Sequence, residues 1–210
     1  MSGRPLYVET TTRAPVAEVW RRTQDPVAHA RWDLRFTRID LDAAGPTPGS
    51  PRTFTYAVGP VAGVGVTSAD RHHADGSATS ALRFRCDDVR SPLREGRGYW
   101  RYVPTDDGGT RFLTGYDYTP RGPADRLVRP LLGWATAWSF DRLRLWVDEG
   151  LPPETARRNA LLEGVLRVGA AALGAGLVVA AVRTPHHRLV PSALRCRRQP
   201  RPTTSREATP

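Results

Sequence analysis

The chain has no lysine: all 31 of its basic residues are arginine. Arginine's planar fork suits bidentate phosphate or carboxylate binding. Here the bias sits beside abundant Ala, Gly and Pro, as a GC-rich coding sequence would produce, so no anion-binding function is read from it. Cysteine is nearly absent. Cys86 and Cys196 lie far apart, one in an expected strand and one in the basic C-terminal tail. A disulfide framework is not expected, and a reducing compartment follows. The N-terminus lacks a charged segment followed by an apolar run, so no secretory signal is read and residues 1–150 are expected in the cytoplasm. The conspicuous catalytic patterns are missing as well. His72-His73 and His186-His187 have no carboxylate at metal-binding spacing, and no Ser or Cys stands in a nucleophile context. Gly59 to Gly65 lies between strands and leads into no helix, so it does not read as a phosphate cradle. No catalytic residue is assigned, and no cofactor or metal is expected.

What is present is globular: 40% hydrophobic and 25% charged residues over 210 positions, enough for one ordinary domain and an appendage. The net charge of +10 is unevenly spread. Residues 1–150 contribute only +3 and residues 151–182 add +1, while residues 183–210 supply +6. Nucleic acid is therefore not expected as a partner, because an arginine-rich tail offers only sequence-independent attraction.

Tyr7–Thr12 is rich in β-branched residues and reads as a first strand. Pro15 stands where proline starts a helix, with Val16, Val19 and Trp20 on its apolar side. Asp25-Pro26 interrupts that helix, and a second short turn through Ala28 and His29 leads to Trp32. Strands are expected at Leu34–Leu41, Thr53–Val58, Val61–Arg71, Thr79–Asp87, Gly98–Val103 and Thr110–Thr119. The turn signals Gly59-Pro60, Asp75-Gly76 and Asp106-Asp107-Gly108-Gly109 fall between them. Leu82, Phe84 and Cys86 share one strand face. Phe112, Thr114, Tyr116 and Tyr118 share another, so the sheet is antiparallel and covered on one side. The cover is a helix over Pro123–Glu149, with a stripe at Leu127, Leu131, Trp134, Trp138, Arg142 and Leu145, and Pro130 near its start. The order is α+β, helix on antiparallel sheet.

Thr12-Arg13-Ala14-Pro15-Val16-Ala17-Glu18-Val19-Trp20 is followed by Asp25-Pro26 and Arg31-Trp32-Asp33. A final helix runs from Arg129-Pro130-Leu131-Leu132 through Ser139-Phe140-Asp141-Arg142-Leu143 to Glu149-Gly150. Together these segments resemble the START-like, helix-grip superfamily, also called SRPBCC, and especially its bacterial polyketide cyclase/dehydrase branch, over roughly residues 5–150. The resemblance implies a helix-grip fold: a curved antiparallel β-sheet wrapped around a long C-terminal helix, with a ligand pocket between them. Members bind lipids, sterols, polyketides and hormones, and some are enzymes.

Such a pocket needs apolar walls with a few placed polar groups. Strand alternation nominates Tyr56, Phe84, Trp100, Tyr102, Phe112, Tyr116 and Tyr118, faced by Trp134 and Trp138 from the helix. Each taken singly also fits as core packing. Family cyclases fold a poly-β-ketone chain with the help of one or two acid–base groups. Tyr56, Tyr116 and Asp141 are the residues that serve if they face the cavity, whereas Asp33 reads as a helix or turn cap. The leading expectation is binding or carriage of a hydrophobic small molecule, lipid-like or aromatic. A polyketide aromatase/cyclase or dehydratase is the alternative, and a membrane-tethered regulatory protein is a third.

The third reading rests on residues beyond the resemblance. The chain divides as a ligand-binding domain at 1–150, a linker and accessory apolar helix at 151–183, and a disordered basic tail at 184–210. Val168–Val182 is fifteen residues without a charge, short of the roughly 20 that a span requires. Extending it back to Ala160 takes in Glu163 and Arg167. A span would export the tail's +6, against the positive-inside tendency. Two arrangements lead: an apolar helix in the interface with residues 160–210 against anionic lipid, or an Ala/Gly-rich helix packed on protein; a true span is the residual alternative.

Overall fold

The computed structural model of the chain describes residues 5–42 and 51–172. β1 (Leu6–Thr12) is followed by α1 (Val16–Gln24) and α2 (Pro26–Trp32). A meander of β2 (Arg38–Leu41), β3 (Arg52–Val58), β4 (Val61–His72), β5 (Ala78–Arg85), β6 (Leu93–Pro104) and β7 (Thr110–Pro120) comes next. The long α3 (Asp125–Glu149) and α4 (Pro153–Ala172) complete the order. The seven strands form one open antiparallel sheet in the order β1-β7-β6-β5-β4-β3-β2, so the first strand closes against the last of the meander. This is the expected α+β helix-grip layering, without closure into a barrel.

Local chemistry sets the boundaries. Asp25 ends α1 and caps α2, its carboxylate accepting from the Ala28 N–H at 2.9 Å with Pro26 at the first helical position. α3 ends at Gly150, whose φ of 67° is the left-handed cap that glycine adopts without strain. Asp148 near that end accepts from the Thr12 hydroxyl and from the Arg13 N–H (2.8 Å), fastening α3 to the end of β1. Arg142 is buried. It donates to the carbonyls of Arg31 (2.7 Å) and Pro153 (3.1 Å), joining the end of α2 to the start of α4. Burial pushes its pKa down to about 10.

Two expectations need correction. Leu34–Thr37 is a turn and not strand, because the Asp33 carbonyl accepts from Phe36 N–H at 3.2 Å and the Asp33 carboxylate accepts from Arg35 N–H at 3.0 Å. The stripe on α3 is also out of phase over its first half, although Arg142 and Leu145 are buried. Leu127 and Leu131 are 79% and 61% exposed, while Gly133, Thr136, Ala137, Phe140 and Leu143 face inward. Small residues let the helix lie close to the sheet; Trp134 and Trp138, only partly buried, pair with each other at 5.1 Å between ring centroids.

The core fills one end of the grip with aromatics. Phe112 is fully buried, stacked on Phe140 at 4.5 Å and beside Tyr102 at 4.9 Å, with Trp100 and Trp32 at 6.0 and 6.5 Å. Removing so central a ring leaves a void that its rigid neighbours close poorly. Phe112→Ala is therefore expected to destabilise the protein by about 3–5 kcal/mol, read as a lowered urea midpoint. A loss within the range of surface substitutions would show that the ring is not central.

Candidate functional site

Where the aromatics stop, the inner face of the sheet carries smaller side chains, and a cavity of about 380 Å³ opens between sheet and helices. Its walls are Phe54, Tyr56, Leu82 and Phe84 from β3 and β5, Trp100 and Tyr116 from β6 and β7, and Leu132 and Ala135 from α3. Ile39 and Phe36 close the side near β2, and exposed Leu41, Val58 and Leu131 stand at the rim. Glycines shape this wall. Phe54 and Tyr56 lie across Gly65 and Gly63, their direct partners on β4. A Cβ at either glycine would come within 2.1 and 2.4 Å of those rings, so the aromatics settle into space that any side chain would occupy.

A buried charged cluster stands at the turn after α2, with its His29 and Arg35 on the wall. Asp33 is 1% exposed, and its carboxylate accepts from Arg35 Nε at 2.9 Å and from Arg35 Nη2 at 2.7 Å. It also accepts from His29 Nε2 at 3.2 Å, and the Ser139 hydroxyl of α3 lies 3.3 Å away. A carboxylate only accepts, so His29 carries its proton on Nε2. Ser139 accepts in turn from the Leu34 N–H at 2.9 Å, tying the turn to α3. Burial alone would raise the Asp33 pKa, but Arg35 and His29 outweigh it and hold the carboxyl far below its usual range. Burial lowers the His29 pKa, with Asp33 opposing only in part. The Arg35 guanidinium lies between two rings, 5.7 Å from the Phe36 centroid and 5.4 Å from that of Tyr116.

Of the residues nominated from sequence, the structure brings Tyr56, Phe84, Trp100 and Tyr116 together on the cavity wall. Tyr102 and Phe112 stand in the solid core, the Tyr102 hydroxyl 2.6 Å from that of Thr23. Tyr118 donates to Asp125 at 2.5 Å at the start of α3. Trp134 and Trp138 flank the helix, and Asp141 pairs with Arg144 at 3.3 Å; none of the three lines the cavity. His29, Arg35 and Phe36 were not anticipated. The available signal was an acid and a base two positions apart, Asp33 and Arg35, set among Trp32, Leu34 and Phe36. Among the described residues no cluster of three His, Cys, Asp or Glu side chains is arranged to hold a metal ion. Cys86 is buried and free, and Cys196 lies outside the described residues.

The buried imidazole gives a pH signature with a definite sign. The folded pKa of His29 lies below its ordinary 6.5, so the unfolded chain takes up the proton first. Stability is then complete above that value and drains as pH falls from it. Asp33 acts in a separate window, losing its contribution only below the ordinary carboxyl value of 3.8. Urea midpoints measured from about pH 8 to pH 5 are expected to fall in the native protein and to fall less in His29→Gln. Parallel curves would show that His29 does not control this window.

The chain matches the family model described as polyketide cyclase/dehydrase and lipid transport over residues 6–145. It is 38% identical over 171 residues to a protein named uncharacterized membrane protein YndG of Bacillus subtilis (strain 168). That match covers 77% of this chain but only 64% of the relative's length. Among solved structures it is similar to a STAR-related lipid transfer protein from Xanthomonas axonopodis (TM-score 0.53, 17% identity, 66% of this chain and 82% of that one). It is likewise similar to the Zhui aromatase/cyclase from Streptomyces sp. R1128 (TM-score 0.52, 13% identity, 70% and 97%). A third likeness is to the human StarD13 lipid transfer and protein localization domain (TM-score 0.52, 14% identity, 67% and 75%). At these identities the likeness is one of fold, and it is the family model, matching the whole of the sheet and most of α3, by which the chain belongs to the polyketide cyclase/dehydrase and lipid transport family.

Proposed function

We propose that this protein binds and carries an apolar small molecule in the cavity between its sheet and α3. The observation that carries the reading is the wall itself. Aromatic and aliphatic side chains surround about 380 Å³, within the range of small-molecule sites, with a smaller number of polar groups set among them. Two of the similar structures are named for lipid transfer and one as an aromatase/cyclase. Carriage is favoured over cyclisation because the acid–base candidates are poorly placed for proton transfer. Asp141 lies outside the cavity, burial pushes Tyr56 up to about 12, and the Tyr116 hydroxyl is engaged by Thr136 at 3.0 Å.

The neutral fluorophore N-phenyl-1-naphthylamine tests this. It is expected to bind saturably with one-to-one stoichiometry. Affinity should fall about tenfold or more when the cavity is filled by Ala135→Phe or Leu82→Trp, each an inserted bulk at the wall. Absence of saturable binding, or equal binding by folded variants, would overturn the reading.

A second reading concerns where the protein works, and α4 favours it. Its inner side carries small buried residues, Ala156 and Ala160, while Leu161, Leu162, Val165, Leu166 and Val168 are all exposed. At 100° per residue these five cover an arc of roughly 160°, so the second half of α4 turns an apolar face outward. Among the described residues no helix is long and apolar enough to cross a membrane. Most of the Val168–Val182 run and the whole basic tail lie outside the described residues. We propose that the outward face of α4 rests on an anionic bilayer, and the name of the Bacillus relative fits this. The full chain should float with vesicles containing phosphatidylglycerol and not with phosphatidylcholine alone. Leu162→Glu/Leu166→Glu should reduce recovery several-fold. Failure to float, or a stable dimer lost in the same variant, would assign that face to protein instead.

A further inference from the structure

The polar corner of the cavity constrains the chemistry of the bound molecule's head, a constraint that rests on the binding of an apolar ligand there. Among the described residues Arg35 and Arg52 are the arginines on the cavity wall; Arg52 is paired with Asp70 at 2.5 Å toward β4. Arg35 spends Nε and Nη2 on Asp33, so the buried pair is electrically neutral, yet Nη1 takes no part in that pairing. The neighbouring hydroxyls have committed their protons. Thr136 donates to the Leu132 carbonyl at 2.8 Å, so the Tyr116 hydroxyl donates to Thr136 and its oxygen accepts from the Arg35 guanidinium. Thr114 donates to the Tyr99 carbonyl at 3.0 Å. The charged donor on the wall at this place is the guanidinium of Arg35.

We infer that the cavity selects an apolar molecule whose head is an uncharged oxygen acceptor, such as a ketone, ester or alcohol, held by Arg35. A neutral oxygen receives a charge-assisted hydrogen bond there. A carboxylate would add a third charge to a pair that is already balanced, in apolar surroundings where an uncompensated charge is disfavoured. The selectivity therefore resides in Asp33, which touches no ligand but cancels the charge of the group that does. Removing the Asp33 charge should turn the same donor into an anion site.

Displacement of N-phenyl-1-naphthylamine by 2-dodecanone, 1-dodecanol, dodecanoate and dodecane at about pH 8 measures this. In the native protein the ketone and the alcohol are expected to displace the probe about tenfold better than dodecanoate. In Asp33→Asn the order should reverse in favour of dodecanoate. In Asp33→Leu/Arg35→Met, which removes both charges and leaves none unpaired, the ketone should lose its advantage over dodecane. The double variant keeps the test open should the single one fail to fold. Native protein that prefers dodecanoate, or a double variant that still prefers the ketone over dodecane, would overturn the inference while leaving cavity binding intact. Failure of the probe to bind at all would strike the underlying reading instead.

Discussion

The buried Asp33 carboxylate is the constraint on which the site depends. Taking a carboxylate and a guanidinium out of water costs several kcal/mol for each ion, and nothing but a full set of partners makes such a pair tolerable. Asp33 has that set: two guanidinium donors, the Arg35 N–H and His29, with Ser139 beside it. Its partners come from α2, the following turn and α3. The same carboxylate thus ends one helix, shapes the turn and registers the long helix against both. The orientation of Arg35 toward the cavity follows from this, because a guanidinium gripped on one edge presents its other edge in a fixed direction.

The cavity is a consequence of unequal side-chain volume along a single sheet face. At the β1–β7 end, Trp32, Tyr102, Phe112 and Phe140 meet with no room to spare, and the small inward residues of α3 let it settle on them. Away from that end the inner face bears Gly98, Ser80 and Thr67 on β6, β5 and β4, and aromatic rings reach over Gly63 and Gly65. Space remains where the side chains are short. Fold stability and ligand space therefore draw on different stretches of the same strands, so residues of the aromatic cluster can be optimised for packing without closing the pocket.

The sheet was legible in the sequence because its signals are local. Alternation in Leu82–Phe84–Cys86 and Phe112–Thr114–Tyr116–Tyr118, and glycine or proline turns between the runs, depend on neighbours two residues away. The phase of the first half of α3 was not legible. A stripe of leucines and tryptophans outweighed Gly133, Thr136 and Ala137, yet close approach to a sheet selects small residues. Four of the wall residues followed from strand alternation, but alternation assigns a face and not a position along it. It could not separate Tyr102 and Phe112, which fill the core, from Trp100 and Tyr116, which edge the cavity. Asp33 was read as a cap, and it is one. Its second role arises only when the turn brings Arg35 back upon it and α3 supplies Ser139, contacts separated in sequence by as much as 106 positions.

The opposed sides of α4 bear on how these parts work together. A helix that turned its leucines and valines to water without an occupant would forgo apolar burial worth about 1.5–3 kcal/mol per large side chain. Its start is nevertheless tied to the domain, by an exposed ion pair from Glu154 to Arg31 at 2.7 Å and by the Arg142 bonds to the Pro153 carbonyl. Arg142 and Arg31 sit at the same junction as the end of α2, one residue before Asp33. The outward face of α4 and the polar head of the cavity are thus anchored to one rigid corner of the fold. A surface that holds α4 would also fix the orientation of the cavity rim, where Leu41, Val58 and Leu131 stand exposed. For a sparingly soluble ligand, transfer directly from a bilayer avoids passage through water, and a rim of exposed apolar side chains lowers the cost of that step.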